Sequence, residues 1–371
     1  MELSVAREQL AEQLGRCQSV VEKRSSMPIL SNVLLNASGE ELKLVATDLE
    51  ITVTTSCPAR ISREGALTVP ARKLYEIVRT LPGEEVYLKE KDNEYLHITA
   101  GRASYDLVGM NPADFPEPPQ LGSVAEVELG GEVLAEMVDK TIFCVSTEDT
   151  RFTLAGVYVQ RRELADGWGI RMVATDGHRL SLIERPVEGA QELNISDGVI
   201  IPRKGVAELR RLAEGEDLVW LGLNEEMASA RTAQATVGLK LQEGSFPDYE
   251  VVIPKAAARK VGVGRVEFSE ALKRVALMAT DRFQGVKMRF TEGVVELVSQ
   301  NPELGEAREV MEVEYSGEEF TVAFNARYFI ELCAAMRSEQ ITLGFVEPTS
   351  PCLITGEGDP GFLSVIMPMR L

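Results

Sequence analysis

Cysteine is sparse and scattered: Cys17, Cys57, Cys144, Cys333 and Cys352 are odd in number and include no C-x-x-C pair. That pattern argues against a disulfide framework or a thiolate zinc site and fits a reducing cytoplasm. Histidine is scarcer still, with only His97 and His178, too few for a histidine-rich metal site. The chain also lacks G-x-S-x-G, H-E-x-x-H and a Walker loop, and VGVGR (261–265) is too poor in glycine, with no Lys-Ser/Thr after it, to cradle phosphate. No window approaches 18 uninterrupted apolar residues. MELSVAREQLAEQLGR carries charge every few residues without an apolar signal core, so neither secretion nor membrane spanning is expected. Positive charge is in deficit, 39 Lys and Arg against 58 Asp and Glu, for a net charge of −19. Spread evenly, that excess would slow approach to DNA or an anionic membrane.

What is present is an ordinary globular composition, 44% hydrophobic and 26% charged, over 371 residues, enough for two or three domains with their own cores. Internal repetition favours three. TVPARKLYEIVRTL (68–81), VIIPRKGVAELRRL (199–212) and TVAFNARYFIELCAAM (321–336) each read as a β-rich run, a break, a basic residue and helical periodicity. The break falls at Pro70, Pro202 and Asn325, spaced 132 and 123 apart. LKLVATDLEITV, IRMVATDGHRLSL and VELVSQNPELGEA form a second ladder, with Asp48, Asp176 and Asn301 spaced 128 and 125 apart. A third pairs NPADFPEPP near 115 with EGSFPDYEVVIP near 246, and the last copy ends as SVIMPMRL.

Each copy opens with a short strand and a helical stretch, whose apolar residues (Leu10, Leu14, Cys17; Leu134, Val138, Ile142; Leu272, Val275, Ala279) recur at three- and four-residue steps. The expected helices are 6–24, 71–80, 131–146, 203–213, 269–282 and 325–338. Two helices and mostly antiparallel strands per copy imply an α+β fold, with helices covering one sheet face. PADFPEPPQLGS and IPKAAARKVGVG are the natural linkers, giving domains 1–122, 126–253 and 254–371. The six helical stretches together are net positive, so the strands and loops carry more than the whole chain's negative excess. One face could then attract phosphate while the molecule stays acidic.

ATDGHRL (174–180), VPARK (69–73), IPRKGV (201–206), FPDY (246–249) and the terminal MPMRL (367–371) resemble the bacterial DNA polymerase III beta subunit, the replicative sliding clamp, over the whole chain and all three repeats. The resemblance implies a head-to-tail homodimeric ring of six alike domains, with helices lining a hole around duplex DNA. It implies a non-enzymatic processivity factor without cofactors, tethering DNA polymerase III and other polymerases and placed on DNA by a clamp loader. By the same resemblance Arg24, Arg72, Lys73, Arg102, Arg203 and Lys204 are the DNA-facing cations. A partner-peptide pocket would be formed by Leu154, Thr175, Gly177, His178, Arg179, Leu180, Pro247, Val252, Val365, Ile366, Met367, Pro368, Met369, Arg370 and Leu371. In it His178 and Arg179 would orient peptide carbonyls or carboxylates, and Val251 stands where the family pattern has a basic residue. Tyr105, Leu107, Leu277 and Met278 would be dimer contacts, or core residues of their own domains. Glu148 and Thr153 depart from the family pattern in a loop that touches DNA elsewhere.

Such a ring makes physical sense, because a sliding protein needs diffuse phosphate attraction rather than base-edge hydrogen bonds that would trap it at one sequence. Two alternatives stand beside this reading. Asp176 and His178 could form the acid/base pair of a hydrolase, or the chain could be a clamp-like paralogue with weak DNA binding, given Glu148, Thr153 and the net charge.

Overall fold

The computed structural model describes residues 1–21, 27–117, 124–148, 151–279 and 285–370. Among them are six α-helices: α1 (Arg7–Gln18), α2 (Ala71–Thr80), α3 (Gly131–Asp139), α4 (Arg203–Leu212), α5 (Arg265–Val275) and α6 (Ala326–Ala335). The second helix of each repeat closely follows the sequence expectation, and the first helices depart from it. α1 stops at Gln18 because Ser19 Oγ turns back to donate to the Arg16 carbonyl (2.9 Å). α3 stops at Asp139, where the Thr141 hydroxyl donates to the carbonyls of Met137 (2.8 Å) and Val138 (3.3 Å), and the chain continues as a 3-10 turn, Ile142–Cys144. Hydroxyls that bond the backbone of the preceding turn compete with helix continuation. α5 begins four residues early, because the Arg265 guanidinium donates to the carbonyls of Ser338 (2.7 Å) and Cys333 (2.8 Å) and fixes the first turn.

The chain divides into two compact units that cut through the middle repeat: Met1–Ala135, Glu192–Ser196 and Ala207–Leu241 form one, and Glu136–Gln191, Asp197–Val206 and Gln242–Leu371 the other. The reason is continuous backbone pairing from one repeat to the next. In the first unit the 13-residue strand Ile51–Arg63 pairs through its second half with Glu2–Ala6 and through its first half, antiparallel, with Ala235–Lys240. In the second unit Arg179–Pro186 pairs antiparallel with Phe362–Ile366. The strand after each aspartate turn thus joins the last strand of the following repeat. Among the described residues, Ala103–Val108 and Gly305–Glu312 lie at sheet edges, each paired along one side only.

Buried apolar faces of α1 (Leu10, Leu14, Cys17) and α5 (Phe268, Leu272, Val275) pack the expected stripe onto the strands. Two expected linkers prove partly structural. Phe115 is buried with Ile29, Leu30 and Val45, and Arg259–Gly264 is a strand. All five cysteines are buried free thiols. Burial pushes Cys17, Cys144 and Cys333 up to about 12, which removes the reactive thiolate at neutral pH.

A buried ion cluster sits in the second unit. Lys140, 1% exposed, donates to Asp359 (2.5 Å) and Glu136 (2.8 Å), and its ammonium lies 5.0 Å from the centre of the Phe362 ring. Asp359 also accepts from the Ser338 hydroxyl and from the backbone N–H groups of Arg337 and Ser338. Burial alone would raise the Asp359 carboxyl, but these partners hold it at about 2, below the ordinary 3.8. Asp359→Asn leaves the Lys140 charge underpaired and is expected to lower stability at pH 7 by about 3 to 5 kcal/mol, read from the urea midpoint. The double substitution Lys140→Met, Asp359→Asn recovers part of that loss. Because the folded pKa lies below the unfolded one, this contribution is complete above the ordinary 3.8 and is lost as pH falls toward about 2. The Asn variant is therefore expected to lose less stability than the parent across that window.

Candidate functional site

The aspartate turn of the second repeat is built by its own side chains. Asp176 Oδ1 accepts from the backbone N–H of His178 (2.9 Å) and Arg179 (3.0 Å), and Thr175 Oγ1 donates to the Arg179 carbonyl (2.6 Å). Gly177 has φ +87°, a conformation that glycine adopts without strain, and a Cβ there would stand 2.6 Å from Arg151 Nη1, the movable end of a flexible side chain. The equivalent position of the first repeat is Leu49, also at positive φ (76°) and exposed.

Behind this turn lies an apolar cavity of about 160 Å³ lined by Leu154, Thr175, Gly177, Arg179, Leu180, Pro247, Asp248, Tyr249, Val252, Val365 and Met367. Nine of the residues expected in a pocket are brought together here. Asp248 and Tyr249 were missed, although FPDY was conspicuous in the sequence. Tyr249 belongs to an aromatic trio with Tyr158 and Phe246, the latter two stacked at 4.7 Å. Its hydroxyl donates to Gln160 (2.6 Å) and accepts from Arg171 (2.8 Å).

Several expected pocket residues fall elsewhere. Ile366 is fully buried, opposite Arg179 and Cys352 in the sheet, and strand alternation turns it away from the face that carries Val365. His178 is exposed and contributes its carbonyl, which accepts from the Met367 N–H (2.8 Å). Pro368, Met369 and Arg370 run past the cavity, Met369 donating its N–H to the Ala323 carbonyl (2.7 Å). Leu371 lies outside the described residues.

Arg179 does not offer its charge to a ligand. The side chain is 8% exposed and donates to Asp176 (3.0 Å), Glu331 (2.6 Å) and the Phe143 carbonyl (2.6 Å), with its guanidinium 4.5 Å from the Tyr328 ring centre. Burial opposes the charge, yet Glu331 and Asp176 hold the guanidinium above the ordinary arginine value. Arg179 is a pin that fixes the pocket wall. The same bonds speak against a hydrolase, since both Asp176 oxygens are engaged within the turn.

In the first repeat the corresponding cluster is closed. Register equates Val45 with Val173 and Leu34 with Tyr158. There Ile29, Leu30 and Phe115 are buried against Val45, and Thr52 stands where the second repeat has Leu180.

Of the expected DNA-facing cations, Lys73, Arg102, Arg203 and Lys204 are exposed, while Arg72 is half-buried and donates to the Val21 carbonyl (3.1 Å). Arg24 lies outside the described residues. The positive charge concentrates on α2 and α4, and α3, with Glu132, Glu136 and Asp139, is acidic. The first helix of each repeat has an acid in its first turn (Glu8, Glu132, Glu267), which suits the helix dipole. The second helices instead begin with cations: Arg72 and Lys73, Arg203 and Lys204, and Arg327. Each such cation is disfavoured by about 0.3 to 1 kcal/mol, so helix stability does not explain them. Arg327 holds the corresponding place in the third repeat, after the Asn325 break, and was not among the expected cations. Glu148, the feature that argued for weak DNA binding, pairs with Arg151 (3.1 Å).

Models of the DNA polymerase III beta subunit match this chain in three consecutive parts: the N-terminal domain over 1–119, the central domain over 128–248 and the C-terminal domain over 250–370. The chain belongs to that family. It is similar to beta sliding clamps of Caulobacter vibrioides (39% identical), Pseudomonas putida (33%) and Escherichia coli (32%), with all of both chains covered in each case. Its fold matches the crystal structure of the Caulobacter crescentus clamp with a TM-score of 0.94 at 38% identity, covering 100% of this chain and 99% of that one. The match to the Thermotoga maritima beta subunit has a TM-score of 0.90 at 29% identity, with the same coverage. Its function is accordingly that of a DNA sliding clamp, a processivity factor of replication without catalysis of its own. Family membership implies DNA and polymerase as partners and a dimeric assembly. No helix among the described residues is long and apolar enough to cross a membrane.

Arg179→Ala is expected to cost about 3 to 5 kcal/mol, because Asp176 and Glu331 then lose their buried partner. The urea midpoint checks it, and a double-mutant cycle with Glu331→Gln should return a coupling of about 1 kcal/mol or more.

Proposed function

We propose that two copies close head to tail into a ring around duplex DNA, using between chains the strand joint already used twice within the chain. The observation that carries this reading is the pair of edge strands. Ile51–Arg63 and Arg179–Pro186 each join the last strand of the next repeat, and by position Gly305–Glu312 is their third counterpart. Ala103–Val108, the last strand of the first repeat, is the remaining acceptor. Pairing one with the other across two chains satisfies both rows of backbone groups and repeats twice under two-fold symmetry. Exposed Tyr105 and Val108 on one edge, and Val310 with the 77%-exposed Leu277 near the other, supply the apolar contact, with half-buried Leu107 and Met278 beside them.

The domains of this ring are 1–122, 126–253 and 254–371. Lys73, Arg102, Arg203, Lys204 and the partly anchored Arg72 face the phosphates, with Arg24 and Arg327 added. The apolar cavity of the second repeat receives short linear segments of DNA polymerase III, other polymerases and a clamp loader, in the cytoplasm. Thr175, Leu180, Pro247, Val252, Val365 and Met367 give its walls, and Gly177 leaves its mouth open.

The deciding experiment loads the protein with a matching clamp loader and ATP onto nicked circular DNA, then linearises it at moderate salt. Retention on circles and loss from ends is the expected result, and equal retention on both forms would refute the ring. Val310→Asp is expected to convert the dimer to a monomer by light scattering, with little change in the urea midpoint. Replacing Lys73, Arg203 and Lys204 together by Ala should make the slope of log affinity against log salt shallower by about 2 to 3.

A further inference from the structure

The second helix of every repeat carries an acid six residues past its break: Glu76 after Pro70, Glu208 after Pro202 and Glu331 after Asn325. Glu76 takes Lys73 of its own helix. The other two also reach the preceding repeat, Glu208 accepting from the Ser19 hydroxyl (2.8 Å) and Glu331 from the Arg179 guanidinium (2.6 Å). The reach of Glu331 ends at the apolar cavity, because Arg179 is in its wall.

Glu331 is divided between two cations. Its Oε2 holds Arg179, and its Oε1 holds Arg327 (2.6 Å), one turn earlier on α6. Burial would raise the Glu331 carboxyl, and the two guanidinium groups together hold it below the ordinary 4.5. The two arms are unequal. The Arg179 side chain is 8% exposed and is clasped by Asp176, the Phe143 carbonyl and the Tyr328 ring. The Arg327 side chain is 72% exposed, and it opens α6, where a cation works against the helix dipole. Its pair with Glu331 also runs in the less favourable order along the helix. Two guanidinium groups on one carboxylate repel each other, so whatever draws Arg327 away leaves the whole carboxylate to Arg179.

Resting on the readings of Arg327 as a phosphate-facing cation and of the cavity as a peptide pocket, we propose that Glu331 is a positioning residue that couples the two. When Arg327 turns to a DNA phosphate, Arg179 closes fully on Glu331 and holds the Asp176 turn and the cavity wall in the peptide-binding arrangement. A partner segment therefore binds more tightly to the protein on DNA than to the free protein. No new contact to the segment is made; the free protein occupies the competent arrangement for a smaller fraction of the time. Linkage makes the effect mutual, so a bound segment strengthens the hold on phosphate by the same factor.

The test is fluorescence anisotropy of a labelled ten-residue peptide of zero net charge with a Leu-Phe anchor. It is titrated with the full-length protein, free or loaded on nicked circular DNA from which the clamp loader has been removed. The expected result is about 3-fold tighter binding on DNA, the size that release of one exposed ion pair allows. Arg327→Ala is expected to bind the peptide in the free state as tightly as the parent does on DNA and to gain nothing more from DNA, with its urea midpoint little changed. A merely structural role for the ion pair would not tighten binding when Arg327 is removed. Equal affinity of the parent free and on DNA, a DNA effect undiminished in Arg327→Ala, or no tightening in free Arg327→Ala would overturn the coupling alone. Failure of the peptide to bind better than a scrambled control would overturn the pocket reading and the coupling with it. A slope of log DNA affinity against log salt in Arg327→Ala equal to the parent's would overturn the phosphate-facing role of Arg327, and again the coupling with it.

Discussion

Backbone hydrogen bonding between consecutive repeats is the constraint on which the rest of this structure depends. A sheet that ends at a repeat boundary exposes a row of N–H and C=O groups, and each must find water or a partner. Ile51–Arg63 and Arg179–Pro186 find theirs in the final strand of the following repeat. Once Leu180 is opposite Val365 and Ile183 opposite Phe362, alternation decides every side chain on both strands. Leu180, Leu182 and Val365 join Val173 and Tyr249 in one apolar cluster, and Ile366 goes to the other side. The candidate pocket is thus a by-product of the joint: a one-residue slip would put Ile366 where Val365 stands and destroy it.

Two buried cations reinforce the same joint. Lys140 and Arg179 come from the second repeat, and their strongest partners, Asp359 and Glu331, come from the third. Apolar side chains of similar volume would often be as stable or more so. What ion pairs add is selectivity, since a misplaced joint would strand both charges without partners. Arg179 combines the two roles, closing one wall of the cavity while holding α6 through Glu331.

Much of this was legible in the sequence because it is repeated. The three aspartate or asparagine turns and the three break-and-helix segments stand at nearly constant spacing, and the second helices began and ended close to where periodicity put them. The first helices were less legible, since their limits are set by single hydroxyls and by the distant anchors of Arg265 rather than by apolar pattern. Phe115 read as part of a linker because prolines surround it, and only the tertiary fold shows the cluster that buries it. At the pocket, residue types were readable and directions were not. VIMP contains Val365 and Ile366 in equal standing, and only strand register separates them. Arg179 looked like a ligand-binding cation because its acceptor Glu331 lies 152 residues away.

In the proposed ring, the arrangement of charge lets an acidic chain work on a polyanion. Cations that open α2, α4 and α6 stand against the helix dipole, and two of them are leashed within the same helix: Lys73 to Glu76 and Arg327 to Glu331. Such pairs are worth little in water and exchange readily for phosphate, so the attraction they offer is weak, diffuse and quenched by salt. A protein held on DNA by affinity would need the opposite: unpaired cations and base-edge contacts. Weak attraction suits a molecule whose persistence comes from closure around the duplex, because every kcal/mol of added affinity would raise the barrier to sliding without improving retention.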